Sequence, residues 1–403
     1  MKITRLTVEN FKSFDTLDVE LGDVNVFIGA NASGKSNFLS ILTFLRDLAR
    51  DGLEDAVSKK SGSEFTQNVQ LQDSKTTNFE LCIEWGEKQP SLLTGDIEFR
   101  VETTHYRLGL RNEDPEGFQI VQDRFTSHLI PLNQSDQFID EIESTLVVRS
   151  DNGRLNVEKG GEFLEMAGAG TYDHSSVPRG LPLLATSFFP IASLSETRDL
   201  SLLPVFDFHI APLQSGSPLS GPSRLVEDGS NLALVLRNLL RDDEKRRKFL
   251  NLARALLPFV EDLNVDRFAG ESLLVKLQES YAEDTYLPAS LLSDGTIKVV
   301  ALLIALFFED RPVIAFEEPA SNLHPKLISQ LMQMMREASE KKQIFITTHN
   351  PEVIRHVDLD NVYLVSRDKD GFSQIVKPND SEVVRHFLEN DLGIDDLFVQ
   401  NLL

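Results

Sequence analysis

Eight residues near the amino end, Gly29-Ala30-Asn31-Ala32-Ser33-Gly34-Lys35-Ser36, follow the spacing GxxxxGK[ST]. Glycines at those places let backbone N–H groups turn inward around a β-phosphate, and the helix that follows adds the positive end of its dipole. In such a loop Lys35 bridges the β- and γ-phosphates and the Ser36 hydroxyl ligates Mg²⁺. The competing reading is a Gly/Ser-rich turn before a helix. The flanks favour the phosphate, because a short apolar run (24–28) precedes the loop and an apolar-periodic stretch (37–48) follows it.

Three further constellations lie toward the other end. Pro312-Val313-Ile314-Ala315-Phe316-Glu317-Glu318-Pro319 reads as a buried strand ending in two carboxylates, at the strand edge where open α/β sheets bind ligands. One carboxylate there can hold Mg²⁺ through water and the next can orient an attacking water. The alternative is a solvated acidic turn. Thr347-Thr348-His349-Asn350 closes an apolar strand (344–346), and a histidine at that edge can donate to a γ-phosphate or to water. A satisfied loop histidine is the bland alternative. Leu292-Ser293-Asp294-Gly295-Thr296 opens an apolar helix (297–308), where hydroxyl, free N–H groups and helix dipole form a second anion site or simply an N-cap. Two anion sites in a chain with one expected nucleotide imply that the second serves a neighbouring copy.

The elements that must position these residues follow from periodicity. Residues 3–8 and 24–28 read as strands, 37–48 as a helix, and 79–85, 96–102, 106–110, 118–122 and 145–149 as further strands. Asp151-Asn152-Gly153 signals a hairpin turn, because Asn-Gly adopts the positive φ that such turns need. Residues 166–182 and 214–224 are Gly/Ser/Pro-rich loop material, and 231–240 and 244–257 read as helices. From Leu291 onward helix and strand alternate, which predicts a parallel sheet. The expected fold is α/β: a P-loop NTPase core with an antiparallel β sub-sheet and a mixed α/β insertion. Its segments are expected at 1–110, 111–284 and 285–403.

Composition sets the bounds on partners. The chain has 403 residues and a net charge of −23, from 63 acidic and 40 basic side chains. Proteins that grip duplex DNA with their own surface neutralise phosphates with a basic face, so this balance does not support broad nucleic-acid binding and leaves only a local patch open. The cluster Arg237, Arg241, Lys245, Arg246, Arg247 and Lys248 spreads around a helix and is broken by Asp242, Asp243 and Glu244, which favours a solvated face. The longest apolar run, residues 299–308, is half of a bilayer span and predicts a buried helix. The N-terminus lacks the apolar core of a signal peptide, and the lone Cys82 fits a reducing compartment. A cytoplasmic protein without membrane contact is expected.

Order and spacing of the motifs carry a resemblance. The chain resembles the RecF/SMC-type branch of ABC ATPases, in particular the stand-alone bacterial predicted-ATPase group with an AAA-21-type domain. Glu9-Asn10-Phe11-Lys12-Ser13-Phe14 resembles that branch's first strand, and Ser321-Asn322-Leu323-His324 stands where the family has its D-loop. The resemblance implies ATP and Mg²⁺ as cofactors. It implies nucleotide contacts at Lys12, Gly29, Asn31, Ser33, Gly34, Lys35, Ser36 and Asn37, with Ser36 and Glu317 on the metal. Glu318, His349 and Lys35 take the catalytic roles. Family members dimerise head to tail around nucleotide, so Ser293, Gly295 and Asn322 of one copy would complete the site of the other. Control of a partner effector such as a nuclease, in antiviral defence or genome maintenance, is the implied role. A RecF-like DNA-repair ATPase and a transporter's nucleotide-binding subunit stay open. Two departures stand out. Glu317 replaces the usual aspartate, adding a methylene on the metal side, and the glutamine loop has no placed member, with Gln67, Gln70 and Gln72 as candidates. No heptad run supports coiled-coil arms, and no second acidic cluster suggests a fused nuclease.

Overall fold

A computed structural model describes residues 1–62, 66–71, 76–84, 91–94, 97–113, 117–132, 144–151, 154–160, 181–185, 200–268, 272–282 and 285–380. Gln72, Trp85, the Asn152-Gly153 turn and nearly all of the 166–182 loop lie outside them. The chain forms two compact units, each assembled from separate stretches. The first holds Met1–Asp23, Ala30–Leu203 and Leu364–Val376; the second holds Val24–Gly29, Pro204–Tyr363 and Lys377–Leu403.

The first unit is built on an antiparallel sheet. Strands β1 (Lys2–Phe11), β2 (Phe14–Glu20), β4 (Thr76–Glu84), β6 (Ile97–Asn112), β7 (Phe118–Leu132), β8 (Ser144–Asp151) and β9 (Arg154–Gly160) lie in the order β2-β1-β4-β6-β7-β8-β9, with β5 (Ser91–Thr94) on β6. Alternation does the sorting: in β4, Thr77, Phe79, Leu81 and Ile83 are buried while their neighbours are not. Helix α1 (Lys35–Asp51) buries Phe38, Leu42, Phe44 and Leu45, and the rings of Phe11, Phe44 and Phe79 meet with centroids 5.3–5.6 Å apart. A short helix, α2 (Leu53–Ser58), follows it.

Where two strands were expected at 96–102 and 106–110, β6 is continuous. Its register with β7 shifts between Val101 and Thr103, and the extra residue throws the alternation out of phase. In sequence that phase slip reads as an end and a new start. β6 also runs through position 110, the expected segment boundary, and pairs with β7 on both sides of it. The pairing Asp151↔Arg154 brackets two residues, as the hairpin signal requires.

The second unit holds the parallel sheet, in the order β10 (Val205–Phe206), β15 (Val313–Glu317), β16 (Gln343–Thr348), β3 (Val24–Ile28). An antiparallel sheet is formed by β11 (Ser217–Pro218), which follows helix α3 (Ile210–Gln214), and by β12 (Val260–Phe268), β13 (Ser272–Glu279) and β14 (Tyr286–Pro288), which follow α4 (Leu232–Leu240) and α5 (Asp243–Leu256). Then α6 (Asp294–Phe307), β15, α7 (Pro325–Ser339), β16 and α8 (Pro351–Ile354) give the expected alternation. α6 is buried from Thr296 to Leu306, so the long apolar run is a core helix. Among the described residues no helix is long and apolar enough to cross a membrane. β17 (Val362–Arg367) leaves this unit at Tyr363 and, in the first unit, forms an antiparallel hairpin with β18 (Ser373–Val376). On α4 and α5 several cations are engaged locally: Arg246 grips Asp262 with both contacts at 3.0 Å, Arg237 donates to the Leu219 carbonyl, and Lys248 lies over the rings of Phe307 and Phe308.

Candidate active site

The first unit holds a phosphate-loop cradle. Ala32 (φ 62°) and Gly34 (φ 122°) bend the backbone, and α1 begins at Lys35 behind Gly34 as its N-cap. The start of a helix suits an anion. Lys35 is buried along its length and its Nζ donates to the Ala30 carbonyl at 2.9 Å, closing over the loop. The Ser33 hydroxyl is buried and, among the described residues, has no hydrogen-bond partner. A buried donor left over in a glycine loop fits an incoming oxyanion. Asn31 and Ser36 are exposed on the same loop.

The loop is fastened from two sides that motif spacing gave no hint of. The Ser373 hydroxyl donates to the Ser33 carbonyl at 2.7 Å and lies 2.8 Å from the Ser13 hydroxyl, while the Ser373 N–H donates to the Ser13 carbonyl. Asn37 donates to the Ser13 hydroxyl at 2.7 Å, and Arg367 donates to the Ala32 carbonyl at 3.0 Å. Gly34 is required here twice over: its φ is left-handed, and a Cβ would sit 2.1 Å from the Ser373 hydroxyl oxygen.

Beside the cradle, within the same unit, is a pocket of about 550 Å³ lined by Lys12, Asn37, Lys60, Gln67, Gln70 and Arg367, among others. Its lining carries three cations and no carboxylate, in a chain of net charge −23. Lys12 sits at φ 49°, donates to Ser40, and is held below the ordinary lysine range by burial. Of the glutamine candidates, Gln67 and Gln70 both line the pocket, and Gln67 is also bonded to Thr77 and Asn112.

The second unit holds the acidic strand ends. β15 closes on Glu317, and Glu318 follows in a left-handed conformation, φ 46°, pinned by its N–H to the Thr347 carbonyl at 2.9 Å. One carboxylate oxygen of Glu318 accepts from the Thr348 hydroxyl (3.1 Å) and the His349 N–H (3.3 Å); the other lies 2.7 Å from His349 Nδ1. The glutamate and the histidine picked out separately in the sequence are thus in direct contact. A non-glycine residue held at positive φ by this many partners is a form of strain found at functional sites.

Register supplies the link to the phosphate loop. Glu317 pairs with Thr347, and Thr348 pairs with Ile28, the last residue of β3, which continues as Gly29. The residue that opens the loop therefore starts beside Thr348 and two strands from Glu317, all at the C-terminal edge of one parallel sheet.

α6 begins as expected of an anion site or cap: the Ser293 hydroxyl accepts from the Thr296 N–H at 3.2 Å. Gly295 lies against the turn at Asn322, with the Asn322 carbonyl 3.2 Å from where a Cβ would be, and Asn322 itself has φ 64°. Leu291, two residues before the cap, is 68% exposed. Further along α6, Lys298 is 2% exposed and aims its ammonium at this same turn. Sequence reading assigned no role to Ser13, Lys298, Thr348, Arg367 or Ser373. Of these, Lys298 left a signal, a lone charge inside an apolar helix.

Among the described residues no three carboxylate, imidazole or thiol groups converge on one point as a metal cage would. Taken singly, Ser36 and Glu317 each carry an oxygen of the kind Mg²⁺ takes.

Known proteins agree with this architecture. A model of the "AAA ATPase domain" matches residues 1–160, and one of the "AAA domain, putative AbiEii toxin, Type IV TA system" matches residues 213–355. Endonuclease GajA of Bacillus cereus (strain VD045) is 21% identical over 379 residues, covering 91% of this chain and 58% of that protein. Octopine permease ATP-binding protein P of Rhizobium radiobacter is 31% identical over 137 residues, 33% of this chain and 51% of that one. The chain spans from about an eighth to somewhat over half of the length of the curated relatives it matches. The crystal structure of the SMC head bound to the C-winged helix domain of ScpA superposes with a TM-score of 0.49 at 15% identity, covering 93% of this chain and 98% of that one. Its motifs and the two domain models make the chain similar to AAA-type ATPase domains over residues 1–160 and 213–355.

Proposed function

We propose that the chain binds and hydrolyses ATP, closing as a head-to-tail dimer around nucleotide and reopening after hydrolysis. The observation that carries this reading is the Glu318–Thr348–His349 cluster, set at the edge from which β3 runs directly into the phosphate loop.

The backbone of Gly29, Asn31, Ser33 and Gly34 cradles the phosphates, and Lys35 leaves the Ala30 carbonyl to bridge the β- and γ-oxygens. Ser36 and Glu317 are the residues that would hold Mg²⁺, which would offset charge on the phosphate oxygens. Glu318 accepts a proton from the attacking water, and His349 holds that carboxylate and then donates toward the transferred phosphoryl group. Lys12 and Asn37 face the basic pocket, which suits the remainder of the nucleotide. Ser293, Gly295 and Asn322 serve the partner copy's nucleotide. The exposed Leu291 beside them is an apolar side chain that a second copy would cover.

ATP then acts as a differential ligand for the closed state, and the protein is a switch. The switched object is a separate effector, a nuclease in antiviral defence or genome maintenance; the breadth of the match to an endonuclease across 91% of this chain supports that class. A cytoplasmic setting agrees with this role.

The decisive measurement is ATP turnover by the wild type, Lys35→Ala and Glu318→Gln, with gel filtration in saturating ATP. Wild-type turnover, its loss in both variants, and an ATP-dependent dimer in Glu318→Gln are expected. Normal hydrolysis by Lys35→Ala rejects the loop assignment, and a monomeric Glu318→Gln protein rejects the sandwich.

A further inference from the structure

The turn that carries Glu318 is strained and must be held. Glu318 and Asn322 both adopt positive φ, 46° and 64°, within five residues, without glycine at either place. Left to itself such a turn relaxes toward ordinary backbone angles and carries the carboxylate with it. Lys298 reaches this turn from the middle of a buried helix. Its Nζ donates to the Glu318 carbonyl at 2.8 Å and the Ser321 hydroxyl at 2.5 Å, and lies 3.5 Å from the Ser321 carbonyl. Burial pushes the Lys298 ammonium down to about 8, opposed by the negative charges of Asp207 and Glu318. A buried cation of this kind is costly and persists where its acceptors repay it. All three acceptors here belong to one turn.

The geometry assigns Lys298 as the positioning residue for Glu318, an inference that rests on the hydrolytic reading above. Lys298 touches no part of the carboxylate that faces Thr348 and His349. It fixes the backbone from which that carboxylate springs. Being on α6, one turn past Ser293 and Gly295, it also makes the glutamate's conformation depend on the seating of that helix. Loss of the cation leaves nucleotide binding intact and misaligns the water-activating group, so the damage falls on turnover and not on affinity.

The test uses the full chain and four proteins: wild type, Lys298→Met, Lys298→Arg and Ser321→Ala, with Glu318→Gln as the reference for a lost carboxylate. Steady-state ATP hydrolysis is measured beside binding of a fluorescent ATP analogue. Removing hydrogen bonds from a charged donor predicts that Lys298→Met lowers kcat roughly 10- to 100-fold while KM and analogue affinity stay within about twofold. Lys298→Arg, which keeps the cation, recovers a large part of kcat. Ser321→Ala removes one acceptor without touching the core, lowers kcat by a few fold at unchanged KM, and decides the matter if Lys298→Met does not fold. Wild-type kcat in Lys298→Met, or in Ser321→Ala where Lys298→Met is not recoverable, overturns the assignment, as does a loss confined to KM. If the wild type does not hydrolyse ATP, or Glu318→Gln retains turnover, the reading of the site has failed instead.

Discussion

Replacing Gly34 by alanine isolates the backbone geometry of the phosphate loop from its charge. Two costs are readable. The backbone sits at φ 122°, where a Cβ is strained by about 1–3 kcal/mol. The added methyl would meet the Ser373 hydroxyl oxygen at 2.1 Å, Ser373 Cβ at 2.8 Å and the Ser13 hydroxyl at 3.3 Å, an overpacking worth about another 1–3 kcal/mol. Together they give roughly 2–6 kcal/mol, which at about 1.4 kcal/mol per decade is a loss of roughly 30-fold to 10⁴-fold in nucleotide affinity. The assay is titration with a fluorescent ATP analogue, with thermal melting beside it to confirm that the antiparallel sheet is retained. A companion substitution, Gly34→Ala with Ser373→Gly, removes the collision but also the Ser373–Ser33 hydrogen bond and leaves the φ strain, so it stays weaker than wild type. If Gly34→Ala binds the analogue within threefold of wild type, the loop does not hold phosphate in the conformation described.

Two other outcomes follow from different parts of the molecule. Burial raises the Asp123 carboxyl to about 7, against help from the Leu183 N–H at 2.7 Å and from Tyr106. The folded chain keeps a proton there that the unfolded chain releases near 4, so this contribution is full below about pH 4 and is lost as pH rises through about 7, by up to about 4 kcal/mol. Asp123→Asn should flatten that slope in urea titrations at pH 5 and pH 8, and an unchanged slope refutes the assignment. Filter binding of duplex DNA at moderate salt, with and without ATP, should show no retention; ATP-dependent retention would revive the repair-ATPase reading against the net charge of −23.

How much of this was legible in the sequence depends on how local each feature is. The Gly29–Ser36 loop, the strand into Glu317 and the helix after Ser293 are set by neighbours in the chain, and periodicity with motif spacing placed them within a few residues. The phase slip at Glu102 was invisible because a bulge imitates a strand break. Ser373 and Arg367 could not be found at all: nothing in the hairpin Val362–Val376 marks those side chains as partners of residues more than 330 positions earlier. Glu318 was chosen for its carboxylate, and its positive φ and its contact with His349 came only with the fold, since neither follows from residue type. Lys298 hid in the run that best predicted a core helix, because an apolar average conceals one charge.

The Ser373 clasp also sets an order of events during synthesis. Ser33 leaves the ribosome with the first tenth of the chain, and the hydroxyl that fastens its carbonyl is made 340 residues later. Until β18 has emerged, the nascent loop lacks that support, along with the Arg367 contact to Ala32. A growing or prematurely terminated polypeptide therefore lacks the fastening that holds this loop in the full chain.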